Sequence, residues 1–213
     1  ASRRELSITR DKAAALGRSA IEAANLGFYR NGAGDLVEWG VLVKHACSSK
    51  VSIAPDAELP THKPRTYLET RVQVSNETTL QASRRLVEQG HRPAALNFAN
   101  GLHPGGGLLS GARAQEEVLC RSSALYHTLV NDPMYEFHGR RKRPDSSDWV
   151  IFSPDVPIFR SDAGLELDKP WLLSLLTSAA PYAPSIGQPE SRELLRKRIH
   201  RIMAVASAHE HRV

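Results

Sequence analysis

Cysteine is nearly missing from this sequence: Cys47 and Cys120 are the two it has. Two thiols build no disulfide framework, and their spacing fits no metal site. The expectation is a cytoplasmic protein with reduced thiols, no metal and no cofactor. No apolar run approaches the ~20 residues of a membrane span. The opening Ala1-Ser2-Arg3-Arg4-Glu5 is not followed by the apolar stretch of a secretory signal. Internal repeats and domain-separating linkers are absent too. The basic face Arg192, Arg196, Lys197, Arg198 and Arg201 has no interleaved aromatic residues, and neither does the cluster Arg140-Arg141-Lys142-Arg143. That argues against a plain nucleic-acid-binding domain, which needs a stacking platform. The cluster, followed by Pro144, Asp145 and two serines, reads as an exposed loop.

What is present suits one sizeable domain with an extension. The 213 residues are 41% apolar, enough for a real core. A net charge of +5 and a pI near 9.4 fit an acidic partner such as nucleic acid, a polyphosphate or a nucleotide polymer. Many basic proteins bind nothing acidic, so charge alone leaves the partner open.

Patterning predicts a helix over residues 7–26, capped by Ser7 or Thr9 and ended by Gly27. Its apolar side would carry Ala13, Ala14, Leu16, Ile21, Ala24 and Leu26. The turn Asn31-Gly32-Ala33-Gly34-Asp35 suggests a hairpin, and a short helix follows near 38–48. Residues 55–64 read as irregular, with three prolines. A strand is expected over 68–74, with Thr70, Val72 and Val74 on one face. A helix then runs from a cap at Ser75 or Asn76 to Gln89, stopped by Gly90. Residues 93–98 read as a buried strand, 112–129 as a helix, and 149–152 as a strand. Residues 171–178 are a strand or a mixed segment. Residues 190–208 read as a helix, apolar at Leu194, Leu195, Ile199, Ile202, Met203 and Val205. This alternation argues for a layered α/β fold with a largely parallel central sheet.

The chemistry concentrates between residues 97 and 117. A buried run, Asn97-Phe98-Ala99-Asn100, breaks into Gly101-Leu102-His103-Pro104-Gly105-Gly106-Gly107. The following helix opens with Gln115-Glu116-Glu117. Ligands of open α/β sheets bind at the carboxyl ends of strands. Three glycines let backbone amides approach a ligand and permit positive φ. A helix N-terminus offers further N–H groups to phosphate or hydroxyl oxygens, and Asn97 and Asn100 can serve sugar hydroxyls. Adjacent helical residues point ~100° apart, so Glu116 and Glu117 take different tasks: one braces a ribose, the other faces a bond that breaks. A carboxylic acid that protonates a leaving oxygen is the central need of glycoside cleavage. A helix N-terminus favours the ionised form, whereas burial under substrate, the neighbouring carboxylate and ligand phosphate favour the acid. The acid is therefore expected to become competent mainly in the complex.

The Gly-triplet, seven residues, then Gln-Glu-Glu resembles the signature of the poly(ADP-ribose) glycohydrolases. The run 97–129, including Leu119-Cys120-Arg121 and Leu125-Tyr126, resembles their bacterial, microbial-type branch. So do Phe152-Ser153-Pro154-Asp155-Val156-Pro157-Ile158-Phe159-Arg160 and Thr177-Ser178-Ala179-Ala180-Pro181. The resemblance implies a macrodomain-like three-layer α/β/α sandwich with a mixed central sheet. It would occupy residues 1–213 as one catalytic domain, with 1–65 as an N-terminal helical extension.

The resemblance also implies hydrolysis of the ribose–ribose bond between ADP-ribose units. Glu117 would be the catalytic acid and Glu116 the brace on a ribose hydroxyl. Asn100 would contact the terminal ribose, and Gly105, Gly106 and Gly107 would wrap ribose and diphosphate, with Asn97 and Gln115 in the binding set. Partners would be poly(ADP-ribose), ADP-ribose and ADP-ribosylated proteins, met by a monomer acting in the response to DNA damage. Cys120 reads as core. His103-Pro104 stands where many bacterial relatives have Asn-Pro. The family's last helix is followed by a strand and a second glycine-rich loop, and the chain stops at Val213 before them. Two other readings stand beside the enzyme: an ADP-ribose-binding macrodomain module with little turnover, and a mono-ADP-ribosyl hydrolase.

Overall fold

The computed structural model describes residues 7–59 and 69–212. Helix α1 (Arg10–Leu26) begins at Thr9, whose hydroxyl accepts from the Lys12 amide, and ends at Gly27 in the left-handed region. Its buried face is the small-residue stripe Ala13, Ala14, Gly17, Ala20, Ala23 and Ala24. Leu26, expected on that face, is exposed. Small residues let a helix approach its neighbour closely: a Cβ on Gly17 would lie 2.9 Å from the Leu108 side chain. The expected hairpin forms as β1 (Phe28–Arg30) and β2 (Leu36–Glu38), antiparallel. Helix α2 (Gly40–Ser48) leads into a short strand that patterning missed, β3 (Val51–Ile53).

The expected strand over 68–74 does not form. Leu68 lies outside the described residues, and 69–74 carry no ladder, with Val72 and Val74 almost fully exposed. Among the described residues the alternation of β-branched residues there has no partner strand and no core to face, and β-propensity needs both. Of the 55–64 segment, 55–59 contains a turn and the rest lies outside the described residues. Helix α3 (Thr79–Glu88) starts at Thr78, later than Ser75 or Asn76. The reason is a capping box: the Thr78 hydroxyl accepts from the Gln81 amide while the Gln81 side chain accepts from the Thr78 amide.

Strand β4 (Ala94–Ala99) enters the glycine loop, which includes a short 3-10 turn at Leu108–Ser110. The predicted single helix over 112–129 is broken into α4 (Gln115–Ser122) and α5 (Leu125–Leu129). Ser123 causes the break. Its backbone is extended, and the next amide, that of Ala124, goes to Pro157 O at 3.1 Å. The Ser123 hydroxyl meanwhile accepts from the Leu125 amide. Helix α6 (Pro133–Arg141) is capped by Asp132. It includes Arg140 and Arg141, so half of the predicted exposed basic loop is helix.

Strands β5 (Val150–Arg160) and β6 (Glu166–Ala179) are longer than expected; α7 (Ala183–Ile186) and α8 (Glu190–Ala208) close the chain. Among the described residues the main sheet runs β3-β5-β6-β4. It is mixed rather than largely parallel. β3/β5 and β5/β6 are antiparallel, and β4/β6 is parallel. A tight turn at 161–165 joins β5 to β6, and so short a connection can only produce antiparallel strands.

The period-2 alternation of the strands sorts two cores. Ile151, Ile158, Leu173 and Leu175 face α1, α2, α4 and α5, with Trp39, Leu119, Leu125 and Phe159. Val150, Phe152 and Leu176 face α8, through Ile202 and Val205. Helices on both faces of one sheet make three layers. Residues of the N-terminal segment, from Ala20 to Ala46, belong to the first core. Leu195, Ile199 and Met203, predicted on the apolar face of α8, are exposed.

Candidate active site

Glu116 and Glu117 sit in the first turn of α4, both buried. Three devices hold that turn against the carboxyl end of β4. The first is Gln115. Its Oε1 accepts from the Phe98 amide at 2.9 Å and its Nε2 donates to Leu96 O at 2.6 Å. Leu96 and Phe98 point their backbone groups away from β6, on the open side of β4, so the Gln115 amide takes the place of a neighbouring strand. Sequence reasoning put Gln115 in the binding set; the structure gives its side chain to the β4 backbone and to Thr79, 3.2 Å away.

The second device lies beneath Glu116. Asn97 pairs in register with Thr177 across the parallel ladder. Its Nδ2 donates to Thr177 Oγ1 at 3.2 Å and to Glu116 Oε1 at 3.4 Å. Asn97 is 0% exposed, and its Nδ2 braces Glu116 from below. Asn100 holds Glu116 from the loop: its amide donates to Oε2 at 2.7 Å. The Asn100 side-chain oxygen accepts from the amides of Leu102 and His103 and folds the loop back.

The third device is the glycine triplet. Its amides, expected to approach a ligand, turn toward the loop and the two carboxylates in the free protein. The Gly105 amide favours the Glu116 anion, Gly106 donates to His103 O at 2.9 Å, and Gly107 donates to Glu117 Oε1 at 2.8 Å. A Cβ on Gly106 would fall 2.4 Å from Glu117 Oε1 and 3.0 Å from Glu116 Oε2, and φ there is +57°. The two carboxylates therefore converge under Gly106, despite their angular separation on the helix. Tyr126, which no motif singled out as functional, lies under Gly105.

Burial pushes the Glu116 carboxyl up to about 7. The Asn100 amide, the Asn97 side chain and the Gly105 amide favour its anion, and Glu117 adds to the rise. An elevated carboxyl already exists without ligand, and it is Glu116. Glu117 has a different asset: its Oε2 is buried with no hydrogen-bond partner among the described residues. Arg121, one helical turn on, is 1% exposed and places positive charge behind that carboxylate. Cys120 is buried and its thiol pushed well up by burial, as suits a core residue.

On the other flank of the α4 N-terminus a cavity of about 330 Å³ opens, lined in part by Glu77, Thr78, Arg113, Gln115, Val118 and Asp162. Neither Glu116 nor Glu117 lines it. Sequence reasoning missed it because its walls come from α3, α4 and the turn after β5. Among the described residues, no group of three or more His, Cys, Asp or Glu side chains could hold a metal ion.

A family model described as "Microbial-type PARG, catalytic domain" matches residues 17–161. The chain belongs to the microbial-type PARG family. The chain is also similar to solved structures of that family. The poly(ADP-ribose) glycohydrolase from Thermomonospora curvata is 38% identical, with a TM-score of 0.87 over 94% of this chain and 77% of that one. The same enzyme bound to the inhibitor ADP-HPD gives 40% and 0.87, over 94% and 76%. The Deinococcus radiodurans poly(ADP-ribose) glycohydrolase in complex with ADP-ribose gives 34% and 0.69, over 79% and 72%. No curated protein matches. The mixed sheet between helical layers is the macrodomain-like fold of this PARG family, and the family's chemistry is that of a glycosidase. No helix among the described residues is long and apolar enough to cross a membrane.

Proposed function

We propose that this chain hydrolyses the ribose–ribose O-glycosidic bond of poly(ADP-ribose) and releases ADP-ribose, with Glu117 as general acid and then base. The single observation that carries the assignment of roles is the asymmetry of the two carboxylates. Glu116 has both oxygens held, by Asn97 and by the Asn100 amide. Glu117 has one oxygen anchored on Gly107 and the other unpartnered. A proton donor needs one oxygen fixed for aim and one free for the substrate.

Glu117 gives its proton to the departing ribose oxygen as the glycosidic C–O bond breaks, leaving an oxocarbenium-like centre. The carboxylate so formed takes a proton from water, and the hydroxide equivalent bonds to the anomeric carbon. Glu116 braces a ribose hydroxyl; with its carboxyl near 7 it can donate or accept that bond around neutrality. Asn100 sits at the loop edge facing the terminal ribose. Backbone of Gly105, Gly106 and Gly107 packs against ribose and diphosphate, and no metal takes part. The cavity beside Gln115 offers room for a further part of the ADP-ribose unit.

The reading extends to ADP-ribosylated proteins as carriers of the polymer, and to a monomeric cytoplasmic enzyme serving the response to DNA damage. Two free cysteines, Cys47 and Cys120, suit a reducing compartment. The test is incubation of purified poly(ADP-ribose) with wild type, Glu117→Gln and Glu116→Gln, followed by chromatography of the products. Wild type should release ADP-ribose. Glu117→Gln should bind polymer but release ADP-ribose at least about 10²-fold more slowly. Binding without release by wild type would point instead to an ADP-ribose-binding module.

A further inference from the structure

The catalytic loop has a support on the side away from α4. Gly101 follows Asn100 directly, and its carbonyl oxygen lies 2.8 Å from Nδ1 of His138, on α6. A Cβ on Gly101 would meet His138 Nδ1 at 3.2 Å, the Ala179 side chain at 3.2 Å and Ser146 Oγ at 3.3 Å. The loop thus starts in a three-sided seat made by α6, the end of β6 and the loop at 144–148. The opposite nitrogen, His138 Nε2, lies 2.6 Å from Ser147 Oγ.

A carbonyl oxygen can only accept, so Nδ1 carries the hydrogen. Nε2 then accepts from the Ser147 hydroxyl, whose oxygen in turn accepts from the Trp149 amide. Both ring nitrogens are committed and the ring is buried. Burial, with Arg141 and Arg198 nearby, holds its pKa below the ordinary value, so it stays neutral against the pull of Asp145 and the Gly101 carbonyl.

The 144–148 loop is itself tied down. Ser146 donates to Ala180 O at 3.2 Å, and the Tyr182 amide donates to Pro144 O at 2.7 Å. Arg198 on α8 donates to Ala179 O at 2.8 Å and also to Asp145 O. This places a rigid frame behind His138, and His138 is the group that connects the frame to the loop.

We propose that His138 is a positioning residue for catalysis: through Gly101 O its Nδ1–H fixes the Gly101–Leu102 peptide, whose Leu102 amide donates to Asn100 Oδ1, and the Asn100 amide holds Glu116. The proposal rests on the glycohydrolase reading for its kinetic consequence, but its geometry can be tested without it.

Two amide variants separate the two ring nitrogens. Asparagine places a donor near the Nδ1 position, so His138→Asn keeps the bond to Gly101 and loses Ser147. Glutamine reaches the Nε2 position, so His138→Gln does the reverse. ADP-ribose release from poly(ADP-ribose) should have kcat within about 3-fold of wild type in His138→Asn. It should fall about 10- to 100-fold in His138→Gln and His138→Ala, with KM changed much less. Hydrogen exchange of the Asn100 amide supplies the second readout: protected in wild type and His138→Asn, faster in His138→Gln and His138→Ala.

Equal kcat loss in the two amide variants would make His138 a merely structural residue, and so would an Asn100 amide equally protected in all four proteins. If wild type releases no ADP-ribose, the glycohydrolase reading falls, and the exchange pattern alone still decides the positioning role.

Discussion

Replacing Gly106 by alanine tests whether the glycine triplet exists to let the two acids converge. The added Cβ would stand 2.4 Å from Glu117 Oε1, where ordinary contact begins at 3.4 Å; the difference, 3.4 − 2.4, is 1.0 Å. Either the carboxylate or the loop must give by that amount. The other acid offers little slack, because Glu116 Oε2 would lie at 3.0 Å from the same atom. The backbone adds a cost, since φ is +57° and a side chain there costs roughly 1–2 kcal/mol. For a chain of this size that lowers Tm by about 2–8 °C, which leaves the protein folded at assay temperature. Misplacement of a reacting group by about 1 Å costs on the order of 10²-fold in rate. Gly106→Ala should therefore fold, as circular dichroism would verify, and release ADP-ribose with kcat down about 10²-fold. A folded variant with kcat within about 3-fold of wild type, roughly a quarter of the expected logarithmic loss, would mean that the acids do not depend on this close approach.

Other outcomes follow from the same geometry. The Glu116 carboxyl sits at about 7 in place of its ordinary 4.5, a difference of about 3 kcal/mol. Between those values the folded protein holds a proton that the unfolded chain has released, so stability falls as pH rises through that window. Relative to wild type, Glu116→Gln should gain about 3 kcal/mol between pH 4.5 and pH 8, read by urea unfolding at each pH; a pH-independent difference refutes it. Gln115→Ala removes the partners of Phe98 N and Leu96 O. It should cost about 1–3 kcal/mol and speed hydrogen exchange at the Phe98 amide. Arg160 is buried and ties Leu16 O, Ser19, Arg121 O and Glu166 together. Arg160→Ala should cost about 3 kcal/mol, measured as thermal destabilisation, by loosening α1 from α4.

The parts of the fold legible in the sequence are those governed locally. Helix α1 ends at Gly27 because only glycine sits easily at φ 79°, and α8 spans the residues its spacing implied. The parts that were not legible depend on partners. Residues 69–74 have strand-like letters and no neighbour to pair with among the described residues, whereas Val51–Ile53 is too short to stand out yet pairs with β5. The same division runs through the site. Motif spacing located Glu116, Glu117, Asn100 and the glycines. It could not reveal that Asn97 and Gln115 spend their polar groups on Glu116 and on β4, because that depends on which groups β6 leaves unpaired. His138 stands 37 residues from Gly101 and carries no motif.

The amide of Gln115 has a consequence beyond the chemistry. β4 is a margin of the sheet among the described residues, and its Phe98 is 65% exposed. An open strand margin with an apolar side chain is a template on which another chain can assemble. Gln115 occupies two of its pairing positions and denies them to a second molecule. The residue that opens the helix carrying Glu116 and Glu117 is therefore also expected to limit self-association. Variants that loosen it should lose turnover and begin to self-associate together, so a drop in yield at this position would report on the same contact as a drop in rate.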